Sequence, residues 1–223
     1  MFPKLSHPFT MMVCGASGSG KTTFVTNIVD SIVHLVEGPV KKIVWCYDQE
    51  NSIPQNLRDV QYHKGIVDWQ SWNGKTPTLI ILDDLMMVAQ GEKVADLFTK
   101  GSHHKNISVV FITQNLFYQG KNCRDISLNV KHFVIFKNPR DMNQFTVFTQ
   151  LHPHRMKELE KVYIDATAQP FSYLYIDLSQ STPDPLRYQT DVFNQNYSTV
   201  YLPQECLKHI DEENEEDTYQ LTF

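Results

Sequence analysis

One octapeptide, Gly15-Ala16-Ser17-Gly18-Ser19-Gly20-Lys21-Thr22, constrains this chain more than any other stretch. It is a GxxxxGK[ST] pattern. Before it lies a short apolar run of buried-strand type, Phe9 to Val13; after it Phe24, Ile28, Ile32 and Leu35 recur at helical spacing until Gly38-Pro39. Strand, glycine-rich turn and helix in that order make a phosphate-binding loop. The glycines let successive backbone N–H groups turn inward around an anion, because no Cβ obstructs the approach. Lys21 then supplies a point charge near the β- and γ-phosphates, and Thr22 supplies a hydroxyl for Mg²⁺. Both begin a helix whose N-terminal dipole favours an anion. The expected nucleotide-binding residues are Gly15, Ala16, Ser17, Gly18, Ser19, Gly20, Lys21, Thr22 and Thr23.

Three further apolar runs end abruptly in polar side chains. Thr78-Leu79-Ile80-Ile81-Leu82 stops at Asp83-Asp84, the form of a Walker B segment. Near-continuous aliphatic sequence marks a strand buried on both faces, whose C-terminal end opens on the sheet edge that carries the phosphate loop. Asp83 is thereby expected to hold the metal with Thr22, through water, and Asp84 to be the base that orients an attacking water. Ile107 to Thr113 closes with Gln114-Asn115; a glutamine there can sense the γ-phosphate or form a turn. Lys42 to Tyr47 runs into Asp48-Gln49-Glu50, read as a solvated loop.

Other segments carry weaker signals. Pro54, Leu57 and Val60 suggest a short helix, and Trp69 and Trp72 read as core or surface-covering aromatics. Val94, Leu97 and Phe98 mark a helix ended by Gly101, followed by a polar connector, Ser102 to Asn106, whose His103 and His104 are solvated or touch phosphate. Lys121 to Asn129 carries Arg124 ahead of the strand Lys131 to Lys137, and a helix begins at Asn138-Pro139-Arg140-Asp141. Arg124, Arg140 and Arg155 are the candidates for a guanidinium supplied across a subunit interface, the first two as catalytic residues. Phe145, Phe148 and Leu151, then Met156, Leu159 and Val162, read as amphipathic helices; a late strand, Ser172 to Leu178, leads into an extended strap broken by Pro183 and Pro185.

A chain of 223 residues suits one α/β domain, expected over 1–203, with 204–223 as an acidic tail. The net charge of −5 argues against a nucleic-acid partner only until its distribution is considered. Asp211 to Asp217 hold six of the 25 acidic residues, which leaves 19 acids against 20 bases in the body. No apolar run approaches the ~20 residues that cross a bilayer. Met1-Phe2-Pro3-Lys4-Leu5 lacks the features of a secretory signal, so a reducing compartment is expected. Cys14, Cys46, Cys123 and Cys206 have no metal-ligand spacing, and neither disulfides nor a zinc site are expected.

Taken together, GASGSGKT, IILDDL, SHHKNISVVFITQN and SLNVKHFVIFKNPRD resemble the viral genome-packaging ATPases of the FtsK/HerA group, poxvirus-type and Polinton/Maverick-type motors among them, over roughly residues 8 to 155. The resemblance implies an α/β P-loop NTPase of the RecA-like additional-strand type, with a central, mostly parallel sheet between helices on both faces. It implies an ATP- and Mg²⁺-dependent ring of identical subunits that drives double-stranded DNA into a capsid. By that similarity Lys21 and Thr22 bind phosphate and metal, Asp83 supports the metal, Asp84 is the base and Gln114 the sensor. Many of these ATPases carry glutamate where Asp84 stands, and the shorter side chain must reach the water differently; no matched motif transfers an arginine. DNA contact is expected through phosphates, from scattered lysines such as Lys100, Lys105, Lys121 and Lys131. Further expected partners are capsid or portal proteins, with no membrane, at a virion assembly site in the host nucleus or cytoplasm. Two other readings remain: a small P-loop kinase acting on a nucleoside or nucleotide, and a scaffold whose assembly interface is ordered by nucleotide.

Overall fold

Alternate residues of each apolar run face opposite sides of one sheet, so every run feeds two cores. The computed structural model describes residues 4–50, 53–54, 57–85, 92–115, 121–138, 145, 156–194 and 198–202. Its strands are β1 (Leu5–Ser6), β2 (Thr10–Cys14), β3 (Val36–Glu37), β4 (Lys42–Tyr47), β5 (Val60–Lys64), β6 (Thr78–Asp83), β7 (Ile107–Thr113), β8 (His132–Phe136), β9 (Tyr173–Asp177), β10 (Tyr188–Thr190) and β11 (Thr199–Val200). Among the described residues, a nine-stranded sheet runs in the order β11-β10-β9-β8-β2-β7-β6-β4-β5. From β8 to β5 the pairs are parallel, whereas β9, β10 and β11 add on antiparallel. This is the mostly parallel α/β architecture expected.

Met11 and Val13 pack with Phe24, Val25 and Ile28 of helix α1 (Lys21–Asp30) on one face. Met12 and Cys14 pack on the other with Val94, Leu97 and Phe98, and with Leu159 and Tyr163 from the helix Met156–Ala166. Leu79, Ile80, Ile81 and Leu82 are all fully buried, two per face. Each such side chain contributes about 1.5–3 kcal/mol of transfer free energy, which is why this strand's sequence shows no polar alternation. Among the described residues no helix is long and apolar enough to cross a membrane.

Four local expectations are corrected. Val60 belongs to β5, not to a helix; β5 is an edge strand with Gln61 to Lys64 exposed, so it carries none of the apolar pattern that marks the inner strands. Gly101 does not end its helix. Its φ of −62° continues it, through a π-helical stretch, Leu97–Gly101, into Ser102–His104. A Cβ there would lie 2.8 Å from Leu97 Cδ1 and 3.4 Å from the buried Trp69 ring, so close packing explains this glycine. The helix after the phosphate loop breaks at Ser31 into α1 and α2 (Ile32–Leu35), because Val36 and Glu37 pair with Leu5 and Ser6. The C-terminal strap contributes β10 and β11 to the sheet.

Candidate nucleotide site

Register brings the strand ends to one edge. Cys14 pairs with Thr113 and Asp83 with Ile112, so β2, β7 and β6 finish almost level. The backbone N–H of Gly15 donates to Thr113 O at 3.3 Å and that of Asp84 to Ile112 O at 3.2 Å, carrying the ladder one step past the strands. The phosphate loop, the aspartate pair and Gln114 therefore share one sheet edge.

The loop then turns into α1 through Gly20, whose φ of +104° suits glycine alone among common residues. At its other end, Gly15 presses on β8: a Cβ would lie 2.6 Å from Phe136 Cβ. Lys21 folds back over the loop and donates from Nζ to Gly15 O and Ala16 O, both at 2.8 Å. Burial lowers its pKa, opposed by the nearby Cys14, Asp84 and Asp83. An ammonium held this way by two loop carbonyls can exchange them for phosphate oxygens. Ser19 Oγ is buried without a hydrogen-bond partner, an orphan donor inside the same loop.

Asp83 is 4% exposed at the end of β6, and Trp45 Nε1 of the neighbouring β4 donates to its Oδ2 at 3.3 Å. Burial pushes its carboxyl up to about 6; the Trp45 N–H and Lys21 oppose this shift and Asp84 adds to it. One indole bond leaves most of this carboxylate's acceptor capacity unused. Mg²⁺ takes hard oxygen ligands in small number and keeps waters and substrate phosphates around it. The Asp83 carboxylate and the Thr22 hydroxyl fit that donor set, although among the described residues no three His, Cys, Asp or Glu are grouped to hold a metal alone. Asp84 differs sharply from its neighbour: it is exposed, at φ +50°, and Gln114 Nε2 donates to its Oδ2 at 3.0 Å. The two side chains tie the end of β6 to the end of β7.

A cavity of about 390 Å³ adjoins the loop, and Gly18, Gly20, Lys21, Thr22 and Thr23 are among its lining residues. The rest of its lining is aromatic apart from Asn27, which adds a carboxamide.

Solved structures share this arrangement of elements. The DNA-packaging ATPase B204 of Sulfolobus turreted icosahedral virus superposes with a TM-score of 0.53 at 11% identity, over 91% of this chain and 99% of that one. B204 of Sulfolobus turreted icosahedral virus 2, in complex with AMPPCP, gives 0.54 at 12% identity, over 88% and 98%. The cytoplasmic domain of the type VII secretion ATPase EccC of Thermomonospora curvata gives 0.51 at 11% identity, over 79% of this chain and 24% of that one. This chain has their P-loop ATPase fold. No protein-family model and no curated protein matches the sequence.

At this sheet edge Lys21, Asp83, Asp84 and Gln114 come together, the last three from strand ends, and Thr22 follows Lys21 at the start of α1 and lines the same cavity. Arg124 lies on the helix Lys121–Leu128 with its side chain outside the described part, and Arg140, Arg155 and the acidic tail lie outside the described residues. Asp48 and Glu50 are exposed, as a solvated loop requires. Sequence reading missed Trp45, hidden in an apolar run, and the cavity wall of Phe171, Tyr173 and Phe193, which only β9 and the strap bring to the loop. Asn27 was findable, since it stands four residues after Thr23 on the same helical face.

Proposed function

We propose that this protein is a magnesium-dependent ATPase that translocates double-stranded DNA into a viral or virus-like capsid, acting as a ring of identical subunits. The observation that carries the reading is the Gln114–Asp84 hydrogen bond at the edge shared with Lys21 and the buried Asp83. A carboxylate exposed to water beside the phosphate end suits hydrolysis, and the amide tied to it can report the state of the γ-phosphate to β7. In this reading Lys21 releases Gly15 O and Ala16 O and takes up β- and γ-phosphate oxygens, while Ser19 and the loop N–H groups cradle the chain. Thr22, and Asp83 through water, would hold the metal, which would supply neutralisation of charge on the phosphate oxygens. Asp84 orients the attacking water and accepts its proton. Arg124 and Arg140 remain the candidates for a guanidinium offered to the neighbouring subunit's nucleotide.

The likeness to B204, described as a DNA-packaging ATPase, supports DNA as the substrate; capsid or portal partners and action at a virion assembly site belong to the same proposal. Phosphate release is the test. Duplex DNA should stimulate it, Lys21→Ala should lower it on the order of 100-fold, and the stimulation should fall steeply between about 50 and 200 mM salt. A rate indifferent to both DNA and Lys21→Ala refutes the motor.

A further inference from the structure

Phe171 is the residue of the cavity that packing does not explain. Its neighbours in the wall form an ordinary cluster: Phe24 meets Tyr173 with ring centroids 4.8 Å apart and Phe193 at 5.0 Å, and Phe136 meets Tyr173 at 5.3 Å. Phe171 is instead 70% exposed, so its burial contributes little to folding. Its φ is +63°, a left-handed backbone that a bulky side chain disfavours, that glycine takes freely and that asparagine takes more readily than most residues. An exposed aromatic held in strained backbone invites a functional explanation.

The place of the ring supplies one. Its Cδ1 lies 3.7 Å from where a Cβ on Gly20 would stand, so it flanks the backbone that leads into Lys21 and Thr22. The cavity is lined by phosphate-loop residues together with carbon-rich rings, and its 390 Å³ is the scale of a nucleoside pocket. Asn27 lines it one helical turn past Thr23, about 6 Å along α1. A carboxamide there can pair with the donors and acceptors on a base edge.

We propose that this cavity seats the purine base of the nucleotide and that Phe171 is the platform on which the base stacks, with Asn27 at its polar edge. The inference rests on the nucleotide-binding reading above and adds to it the part of the substrate beyond the phosphates. A seat lined by aromatic rings can hold the base by stacking, so the base adds affinity that the phosphates alone do not provide.

Calorimetry with ATP and with inorganic tripolyphosphate, both with Mg²⁺, separates the two claims. The intact protein should bind ATP about tenfold more tightly than tripolyphosphate. Phe171→Asn, which keeps the left-handed turn, should abolish that difference while leaving tripolyphosphate affinity unchanged; Phe171→Trp should restore it. Equal affinities in the intact protein, or a Phe171→Asn variant that weakens both ligands alike, overturn the base seat and leave the phosphate loop standing. Binding of neither ligand overturns the nucleotide reading itself, and the base seat with it.

Discussion

Two adjacent aspartates end up in opposite states because one belongs to the strand and the other to the turn. Asp83 completes β6, is shut in by the sheet and is held by Trp45; Asp84 enters the left-handed region and reaches solvent, where Gln114 meets it. Asparagine tolerates that backbone as well as aspartate does, so Asp84→Asn removes a base without disturbing the turn. Turnover should fall by about 10²–10⁴ with ATP affinity nearly unchanged, read by single-turnover phosphate release and calorimetry. An equal loss of affinity would make Asp84 a structural residue. The pair was legible in the sequence as an abrupt stop of an aliphatic run. The Gln114 contact was not, because it depends on the register of β7 against β6.

At the scale of elements, the phosphate loop is shaped by the strand beside it as much as by its own glycines. Gly15 touches Phe136 of β8 so closely that a methyl group would meet its Cβ at 2.6 Å, near backbone that cannot swing aside. Gly15→Ala should therefore destabilise the protein by about 1–3 kcal/mol, seen as a lower denaturant midpoint; an unchanged midpoint would mean that β8 yields. Elsewhere the glycine signals mislead. Gly101 reads as a helix stop, yet it lies inside a continuous helix because Trp69 and Leu97 leave no room for a side chain. The edge strand β5 escaped for a related reason: periodicity reports burial, and four of its five side chains are exposed.

Across the whole molecule, β8 and β9 join the parallel sheet to its antiparallel extension, and a buried polar group spans the seam. His132 Nδ1 lies 2.9 Å from Tyr175 Oη and 3.5 Å from Asp177 Oδ1, at 4% exposure. Burial lowers its pKa from 6.5 to about 4; Asp177 opposes the shift and Lys131 adds to it. Between those values the unfolded chain binds more protons than the native one. The stability held by neutral His132 is therefore complete above about pH 6.5 and is lost as pH falls towards 4. Asp83, pushed up to about 6, titrates with the opposite sign in part of this window. Comparison with His132→Asn isolates the histidine: the intact protein should lose on the order of 1–3 kcal/mol more than the variant between pH 7 and 5 in urea melts. Parallel slopes would exclude that role. By itself the sequence determined the phosphate loop, the inner strands and the polar residues at their ends, because glycine spacing and unbroken apolar runs are local patterns with local causes. Only the tertiary structure decided that Gln114 meets Asp84, that Trp45 holds Asp83 and that Phe171 stands beside the loop. Each of these contacts joins residues far apart in the chain, and strand order and register, not composition, bring them together.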